Sequence, residues 1–201
     1  MSTDPNRFNN AIARFDQANA EDPNKTVVGD TEYPKELLYA QRMAAQLEQF
    51  APAASEALRL AARCQHIRRW TIPRDQYPAG RKGYKQWRAN LAKFHADTAS
   101  EILREVGYDD TTIRQVQALL RKEKLKSDPE VQTLEDVICL VFLNHYFADF
   151  AHKHDEEKII DILRKTWKKM SPEGQAAALA LELAPDSKNL VGKALTADSP
   201  G

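Results

Sequence analysis

Apolar residues recur every three or four positions along most of this chain, which is the spacing of amphipathic α-helices. Phe8, Ile12 and Phe15 define such a stripe in a first helix that ends near Ala20. Proline starts several of the later segments, and glycine ends the one before residue 107, as expected for helix boundaries. The further predicted helices cover residues 34–50, 52–66, 84–106, 111–124, 129–154, 156–170 and 172–183.

Strand-like alternation is confined to one short piece of the sequence. Residues 21–33 read as a loop, with a possible extended segment at 26–28. We therefore predict an all-α fold, a single compact multi-helix domain over residues 1–184. Residues 185–201 are rich in Ser, Asp, Pro and Gly, and we expect a flexible C-terminal tail there.

The helix predicted from Pro129 is apolar nearly all round in its middle, so we place it at the centre of the fold. It nevertheless carries Glu135 and Asp136. Neighbouring residues on a helix diverge by roughly 100°, so we expect only one of the two to face the core. A buried carboxylate needs a partner. A divalent metal, a salt bridge to Arg68, Arg69 or Arg88, and a position on the helix surface are the three readings that remain open.

Composition and charge narrow the class of protein. The 201 residues carry no net charge, which argues against a general nucleic-acid coat. Cys64 and Cys139 both lie in apolar helical patterns, so we expect reduced, buried thiols. The longest strongly apolar run, residues 137–143, is too short to cross a bilayer, and the N-terminus lacks the pattern of a signal peptide. These features favour a soluble cytoplasmic protein without a membrane partner.

One stretch, residues 61–95, concentrates the candidate chemistry. His66 and His95 flank a loop of about fifteen residues, a length typical of functional or disordered segments. From residue 68 to 93 there are eight basic residues and one acidic residue, Asp75. We expect an ordered anion site with the loop's aromatic residues as its walls, although a solvated basic surface is the alternative. The candidate phosphate- or substrate-binding residues here are Arg68, Arg69, Arg74, Arg81, Arg88, Trp70, Tyr84 and Trp87.

Three passages resemble the HD-domain metal-dependent phosphohydrolases. HADTASEILREVGYDDTTIRQVQALL, residues 95–120, is similar to a helix of that superfamily that begins with His, ends at Gly-Tyr and is followed by an acidic cap. QTLEDVICL, residues 132–140, is similar to its closing helix, which brings the last metal-binding Asp. LRLAARCQH, residues 58–66, resembles the helix that ends in the paired His-Asp. The resemblance implies an HD-domain-like all-α fold.

A closer resemblance covers residues 8–179. PKELLYAQRM, QHIRRWTIPR, YPAGRKGYKQWR, QTLEDVICLVFL and KTWKKMS are similar to an uncharacterised bacterial and fungal family, a domain of unknown function. Its members are sometimes labelled glutamyl-tRNA synthetases. This chain has no phosphate-cradling Gly-rich loop or adenylate-site motif that would support that label.

The resemblance to phosphohydrolases implies a metal site, with departures. Gln65, His66 and Ile67 stand where the superfamily has its His-Asp pair, and Glu36 stands on the helix that should carry the first His. The implied metal ligands are Glu36, His66, His95 and Asp136, for a divalent ion such as Mn, Fe, Zn, Co or Ni. The implied catalytic residues are His66, His95, Asp136 and Glu135. Lys122 stands where related enzymes place another His, and it joins the candidate substrate-binding residues.

Two hypotheses of function follow, from different classes. The first is an HD-like, metal-dependent phosphohydrolase or a phosphate-ligand-binding protein that acts on a nucleotide or a phosphorylated small molecule. In it a metal activates water and arginines hold the phosphate oxygens. The second is a non-catalytic binding module whose basic, aromatic surface docks an acidic protein, a nucleotide effector or RNA. A degenerate HD-like fold without a metal is the alternative to the metal site.

Overall fold

The computed structural model describes residues 6–123 and 127–196. Within them nearly all regular structure is helical, so the predicted all-α class is confirmed. The helices are α1 (Arg7–Ala20), α2 (Lys35–Phe50), α3 (Glu56–Cys64), α4 (Gly80–Glu105), α5 (Asp110–Arg121), α6 (Pro129–His145), α7 (Phe147–Ala151), α8 (Glu156–Trp167), α9 (Pro172–Leu179) and α10 (Pro185–Thr196).

The chain divides into two compact units, Met1–Val131 and Gln132–Gly201. The boundary falls in the first turn of α6, so most of this helix belongs to the second unit. The earlier prediction of one domain over residues 1–184 stays a prediction.

In the first unit, helices α1 to α5 pack around a common core. Helix α3 contacts α1, α2 and α5, and α4 packs along α5. Phe15, Met43 and Leu60 are fully buried in this core. This packing brings the turn after α3, the middle of α4 and the end of α5 around one cavity.

A small hairpin precedes α2 and was only partly foreseen. Strands β1 (Lys25–Val28) and β2 (Thr31–Pro34) pair antiparallel, with Val28 opposite Thr31. Gly29 turns the chain with φ +60°, a conformation that a two-residue hairpin turn requires and that glycine adopts without strain. The hairpin delivers the chain directly into Lys35, the first residue of α2.

Several helix boundaries differ from the predicted ones. Helix α3 begins after Ser55, whose hydroxyl accepts a hydrogen bond from the backbone N of Leu58, and not at Pro52. Helix α4 begins at Gly80, ahead of the predicted start at residue 84. The long helix predicted over 129–154 is interrupted at Tyr146, where α6 gives way to α7. A side-chain cap that bonds the backbone overrides proline as a start signal in the first case.

The second unit contains α6 to α10, and its last helix was missed by the sequence analysis. Residues 185–196 read as a polar tail, but α10 packs against α8. Ala194 is buried, and its carbonyl oxygen accepts a hydrogen bond from Arg164. Two small buried residues, Ser187 and Ala194, give too weak a periodic signal to be recognised in the sequence. Residues 197–201 of the predicted tail lie outside the described residues.

Each unit contains one of the two cysteines. Cys64 ends α3 and is fully buried in the first unit, and Cys139 is buried in α6 in the second. Both are free thiols, as predicted. Burial raises the pKa of the Cys64 thiol, because the thiolate would lose its hydration.

Over residues 6–123 and 127–196, none of the helices has the combination of length and apolar character that spanning a bilayer demands.

Candidate functional site

The first turn of α2 is anchored by a buried carboxylate. Asp22 is almost fully buried, and its Oδ2 accepts a hydrogen bond of 2.9 Å from the backbone N of Glu36. Its Oδ1 accepts a second bond from the backbone N of Asn24, also at 2.9 Å. A carboxylate at a helix N-terminus satisfies amides that have no partner in the helix. The position of Glu36 is therefore fixed from outside its own helix.

A second anchor shapes the turn that follows α3. Arg68 adopts the left-handed conformation, with φ 50°. Its backbone N donates a hydrogen bond of 3.0 Å to Oδ1 of Asn19, a fully buried residue of α1. The hydrogen bond to Asn19 thus holds the strained turn in place. The turn folds the chain back, so that the backbone N of Arg69 donates to the carbonyl of His66 at 3.1 Å.

Glu36, His66 and Arg69 form a connected polar cluster. Nδ1 of His66 lies 3.2 Å from Oε2 of Glu36, and Nε2 of His66 lies 2.8 Å from Nη1 of Arg69. The same Nη1 is also 3.4 Å from Nδ1, so the guanidinium lies over the face of the imidazole and does not meet the lone pair of Nε2. Nε of Arg69 is also 4.0 Å from the other carboxylate oxygen of Glu36. The cluster therefore holds the His66 ring between a carboxylate and a guanidinium.

Two aromatic rings hold this cluster in place. The ring of Tyr39 stacks on that of His66, with centroids 4.1 Å apart and planes inclined by 13°. The guanidinium of Arg69 lies over the ring of Trp87, 5.0 Å from its centroid. Trp87 is buried and donates from Nε1 to the carbonyl of Ile72 at 2.9 Å. Cation–π contact and stacking limit the motion of both functional groups.

His95 completes the group from helix α4. Its Nδ1 lies 2.8 Å from the carbonyl oxygen of Ile67, so Nδ1 carries the proton and donates it. Nε2 is then an acceptor, and it is buried without a partner among the described residues. The rings of His66 and His95 are 5.9 Å apart between centroids. The predicted convergence of the two histidines is thus present in the structure.

Burial keeps both imidazoles neutral. Removal from water is the largest cause that lowers the pKa of His66 well below its usual value, and the positive charges of Arg69, Arg88 and Lys122 act in the same direction. The pKa of His95 is lowered to about 3, again chiefly by burial, with His66 contributing. Burial has the opposite effect on Glu36 and raises the pKa of its carboxyl, against the pull of Arg69.

His66, Arg69 and His95 border a cavity of about 280 Å³ in the first unit. The turn after α3, one face of α4 and the end of α5 contribute its walls. On α4 the lining includes Arg88, Ala92 and His95, which are spaced as one helical face. The described residues that line the cavity are Gln65, His66, Arg69, Arg88, Ala89, Leu91, Ala92, His95, Leu120, Arg121 and Lys122. The charged lining residues are all cations.

The four cations differ in how far they are neutralised. Arg69 is close to Glu36, and Arg121 pairs with Asp97 at 3.1 Å and with Glu123 at 3.9 Å. Lys122 ends α5 in the left-handed conformation, with φ 54°. Arg88 is half-buried and has no hydrogen bond or ion pair with any residue in the described ranges. The cavity therefore presents an excess of positive charge to whatever enters it.

Several arginines predicted for this surface lie elsewhere. Arg68 pairs with Glu21 at 3.0 Å and does not line the cavity. Arg74 folds back on its own loop, with Nη1 bonded to the carbonyl of Tyr77 and Nη2 to that of Pro78, both at 2.9 Å. Arg81 is exposed on the first turn of α4. The expectation that five arginines share one concave surface is therefore corrected to Arg69 and Arg88.

The aromatic residues of the loop lie in different surroundings and do not together form the walls of the site. Trp87 packs against the guanidinium of Arg69 and does not itself line the cavity. Tyr84 is 49% exposed and packs against Trp87 at a centroid distance of 5.8 Å. Trp70 is half-buried and lies outside the lining. Stacking of a ligand between Trp70 and Trp87 receives no support.

Glu135 and Asp136 belong to the second unit, where each has local partners. Asp136 accepts hydrogen bonds from the backbone N of Ser171 at 2.8 Å, from the Ser171 hydroxyl at 2.6 Å and from Gln132 at 3.0 Å. Nζ of Lys169 lies 3.8 Å from Oε1 of Glu135. Both carboxylates are buried, which corrects the expectation that only one faces inward. Buried residues fall on all sides of α6, so neighbouring side chains on it can both lose contact with water.

The predicted metal site of Glu36, His66, His95 and Asp136 stays a prediction. Over the described parts of the chain, no three His, Cys, Asp or Glu side chains form a group that could hold a metal. Nδ1 of His66 is paired with Glu36, and the guanidinium of Arg69 lies within 3.4 Å of both ring nitrogens. A metal ion on either nitrogen would stand beside this positive charge. We therefore derive no chemistry through a metal.

Sequence reasoning missed three residues that shape the site. Gln65 and Arg121 line the cavity, and Tyr39 stacks on His66 while its hydroxyl donates to Gln65 at 2.9 Å. The helical spacing of Arg88, Ala92 and His95 is the one signal in the sequence that predicts a shared face. The sequence offers no comparable signal for Tyr39, whose partner lies in another helix.

Comparison with known proteins identifies one match. The family described as "Domain of unknown function (DUF4202)" matches residues 9–191, which is most of the chain. No curated protein and no solved structure matches. The predicted resemblance to a family of unknown function is confirmed, whereas the resemblance to HD-domain phosphohydrolases stays a prediction.

Proposed function

Because the chain belongs to a family described as a domain of unknown function, DUF4202, we propose its function from the cavity itself: it binds a phosphorylated small molecule. The observation that carries this proposal is the charge of the lining. Arg69, Arg88, Arg121 and Lys122 meet around a cavity of about 280 Å³, and none of the described residues that line it is Asp or Glu. Guanidinium groups match phosphate oxygens bidentately, and clustered cations in a low-dielectric recess favour a multiply charged anion.

Arg88 is the primary phosphate-binding residue in this proposal. It has no internal acid to neutralise it within the described residues, so an incoming anion does not have to displace a partner. Lys122 and Arg121 approach from the end of α5, opposite the α4 face. Arg69 is already engaged with Glu36 and His66, and its role is to add positive potential from the floor of the site.

Replacing Arg88 with glutamine should weaken phosphate binding by about tenfold or more, because a charge-assisted hydrogen bond is lost. The measurement is calorimetric titration with inorganic phosphate and pyrophosphate, followed by a panel of phosphorylated metabolites. A ligand present at a hundred times its Kd should raise the free energy of unfolding of the wild type by about 2.7 kcal/mol.

Arg81→Gln is the matched control, since Arg81 lies on the same helix but is exposed and outside the cavity. It should bind as the wild type does. Equal losses in both variants would point to a diffuse basic surface, and an absence of any binding by the wild type would remove the proposal.

Lys122 allows a second test that separates binding from stability. A lysine in the left-handed region is strained by about 1 kcal/mol, and glycine adopts that conformation freely. Lys122→Gly should therefore leave the free energy of unfolding unchanged or raised by up to about 1 kcal/mol, while phosphate affinity falls. Chemical denaturation and titration of the same preparation measure the two effects. A stable variant with unchanged affinity would exclude Lys122 from the site.

The non-catalytic alternative is supported by a different surface. Arg81, Lys82, Tyr84 and Lys85 are all exposed at the start of α4, where they could dock an acidic protein, a nucleotide effector or RNA. The variants Arg88→Gln and Arg81→Gln discriminate between the two functions. Loss of partner binding in Arg81→Gln with phosphate binding retained would favour the docking module.

Phosphohydrolase activity of the HD-like kind stays a hypothesis with its own test. Elemental analysis of protein purified without a histidine tag should find no stoichiometric Mn, Fe, Zn, Co or Ni if the cluster of Glu36, His66 and Arg69 holds no metal. About one equivalent of metal per chain would overturn this arrangement of the cluster and restore the hydrolase hypothesis.

A further inference from the structure

The unpaired nitrogen of His95 is the feature that the phosphate proposal leaves unexplained. His95 is 4% exposed and lines the cavity, and its Nε2 has no partner within the described residues. The opposite nitrogen, Nδ1, donates to the carbonyl of Ile67 at 2.8 Å. Since that carbonyl can only accept, the neutral ring must present a lone pair at Nε2.

A buried acceptor without a donor is costly. Buried polar groups in folded proteins are nearly always hydrogen-bonded, and an unsatisfied one costs about 1–3 kcal/mol. The cost persists here because the tautomer is fixed from behind by a backbone carbonyl. A site that keeps such a group is preorganised for a ligand that supplies the missing donor.

The charge of the cavity restricts what that donor can be. An ammonium group would meet Arg69, Arg88, Arg121 and Lys122 in the same lining. A phosphate group offers acceptors and cannot satisfy a lone pair while it is fully ionised. A neutral hydroxyl group on the same ligand satisfies both conditions, because it donates to Nε2 while the phosphate engages the cations.

We infer that the ligand is a phosphorylated polyol, such as a sugar phosphate, that donates a hydroxyl hydrogen to Nε2 of His95. This inference rests on the proposed phosphate-binding function and adds the class of compound. The volume supports it, since about 280 Å³ is at the small end of ligand pockets, which favours a compact molecule. The low pKa of His95 is consistent with a ring that accepts a hydrogen bond and stays unprotonated.

A matched pair of ligands tests the inference. Glycerol phosphate and propyl phosphate carry the same charge and have three carbons each, but only the first has hydroxyl groups. The wild type should bind glycerol phosphate about tenfold or more tightly than propyl phosphate, because a site built to pair with a hydroxyl rejects an analogue that lacks it. His95→Leu should bind both compounds alike, near the affinity of the wild type for propyl phosphate.

Nitrogen NMR of the wild-type imidazole keeps the test independent of how the variant folds. Glycerol phosphate should shift the unprotonated Nε2 resonance of His95 in the direction of hydrogen bonding, whereas propyl phosphate should not. Equal affinities for the two compounds, a preference that survives in His95→Leu, or conversion of the ring to imidazolium on binding would each overturn the inference. If neither compound nor inorganic phosphate binds, the proposed function fails with it; if both bind equally, only the hydroxyl inference fails.

Discussion

Replacing Gly174 with alanine should lower the free energy of unfolding by about 3 kcal/mol or more, although the change adds a single methyl group. Gly174 lies in the first turn of α9, and a Cβ atom there would stand 2.6 Å from both Cγ and Oδ1 of Asp136. That carboxylate is held by Ser171 and Gln132. The new methyl group must push it away from buried donors that have no water to replace it.

The expected loss has two sources that act together. Inserting a methyl into a packed region costs about 1–3 kcal/mol. Displacing a buried carboxylate from hydrogen bonds with Ser171 adds about 1.5–3 kcal/mol, because bonds to charged groups are the strong ones. Helix propensity works in the other direction, since alanine is favoured over glycine inside a helix by roughly 0.5–1 kcal/mol. The clash outweighs it.

Gly192→Ala is the matched control in the same unit. Gly192 lies in α10, and a Cβ atom there would meet nothing within 4 Å. This variant should gain roughly 0.5–1 kcal/mol. Chemical denaturation followed by circular dichroism measures both. Similar small gains in the two variants would show that Asp136 is not packed against α9 as described.

Acid should destabilise the protein through His95 by about 2 kcal/mol between about pH 7 and pH 5. The pKa of this histidine is about 3 in the folded protein, against an ordinary value of 6.5. The unfolded chain therefore binds the proton first as the pH falls. The stability that depends on the neutral ring is fully present above about pH 6.5 and is lost progressively towards the folded value.

Two neighbours modify the shape of this curve. His66 also makes the protein less stable in acid, because its pKa is lowered by burial too. Glu36 makes the folded protein more stable as the pH falls, because its pKa is raised in the folded state. The folded carboxyl takes up a proton before the unfolded one, and this gain offsets part of the loss of stability from the histidines. The difference between wild type and His95→Gln measures the contribution of His95 together with its electrostatic coupling to both neighbours.

The measurement is a series of urea denaturation curves across this pH range. Wild type should lose about 2 kcal/mol more than His95→Gln, while His152→Gln controls for loss of an exposed histidine. Parallel curves for wild type and His95→Gln would mean that the His95 ring is hydrated and titrates normally. Should the glutamine variant be too unstable, an NMR titration of wild-type His95 that shows a neutral ring down to the acid transition would support the same conclusion.

Local signals accounted for most of the helices. Asp109 and Ser171 cap α5 and α9, where their side chains accept hydrogen bonds from the backbone N of Thr112 and of Gly174. Such caps can be recognised in a sequence because a cap and the amide it binds are three residues apart. Helix α10 was missed because its packing residues are few and small, so its helical face does not stand out from a polar sequence.

From the residues alone, helical spacing predicts only the part of the site that lies on one element. Arg88 and His95 are two turns apart on α4, so their common face follows from helical spacing. Asp22 and Asn19, by contrast, act on Glu36 and Arg68 from distant parts of the chain. A charge run such as residues 68–93 indicates how much positive charge is present, but the turn geometry decides which guanidinium groups reach the cavity. Arg68 and Arg69 are neighbours in sequence and lie in different surroundings for that reason.

The reactivity of the two cysteines can show whether the two compact units unfold together or separately. Cys64 and Cys139 are buried, one in each compact unit. A buried thiol reacts with a labelling reagent only while its surroundings are open, so the rate at each sulfur measures the free energy of exposing that unit. Equal opening free energies at both positions would mean that the whole chain unfolds as one event. Unequal ones would give each unit its own stability, measured under native conditions and without changing a residue.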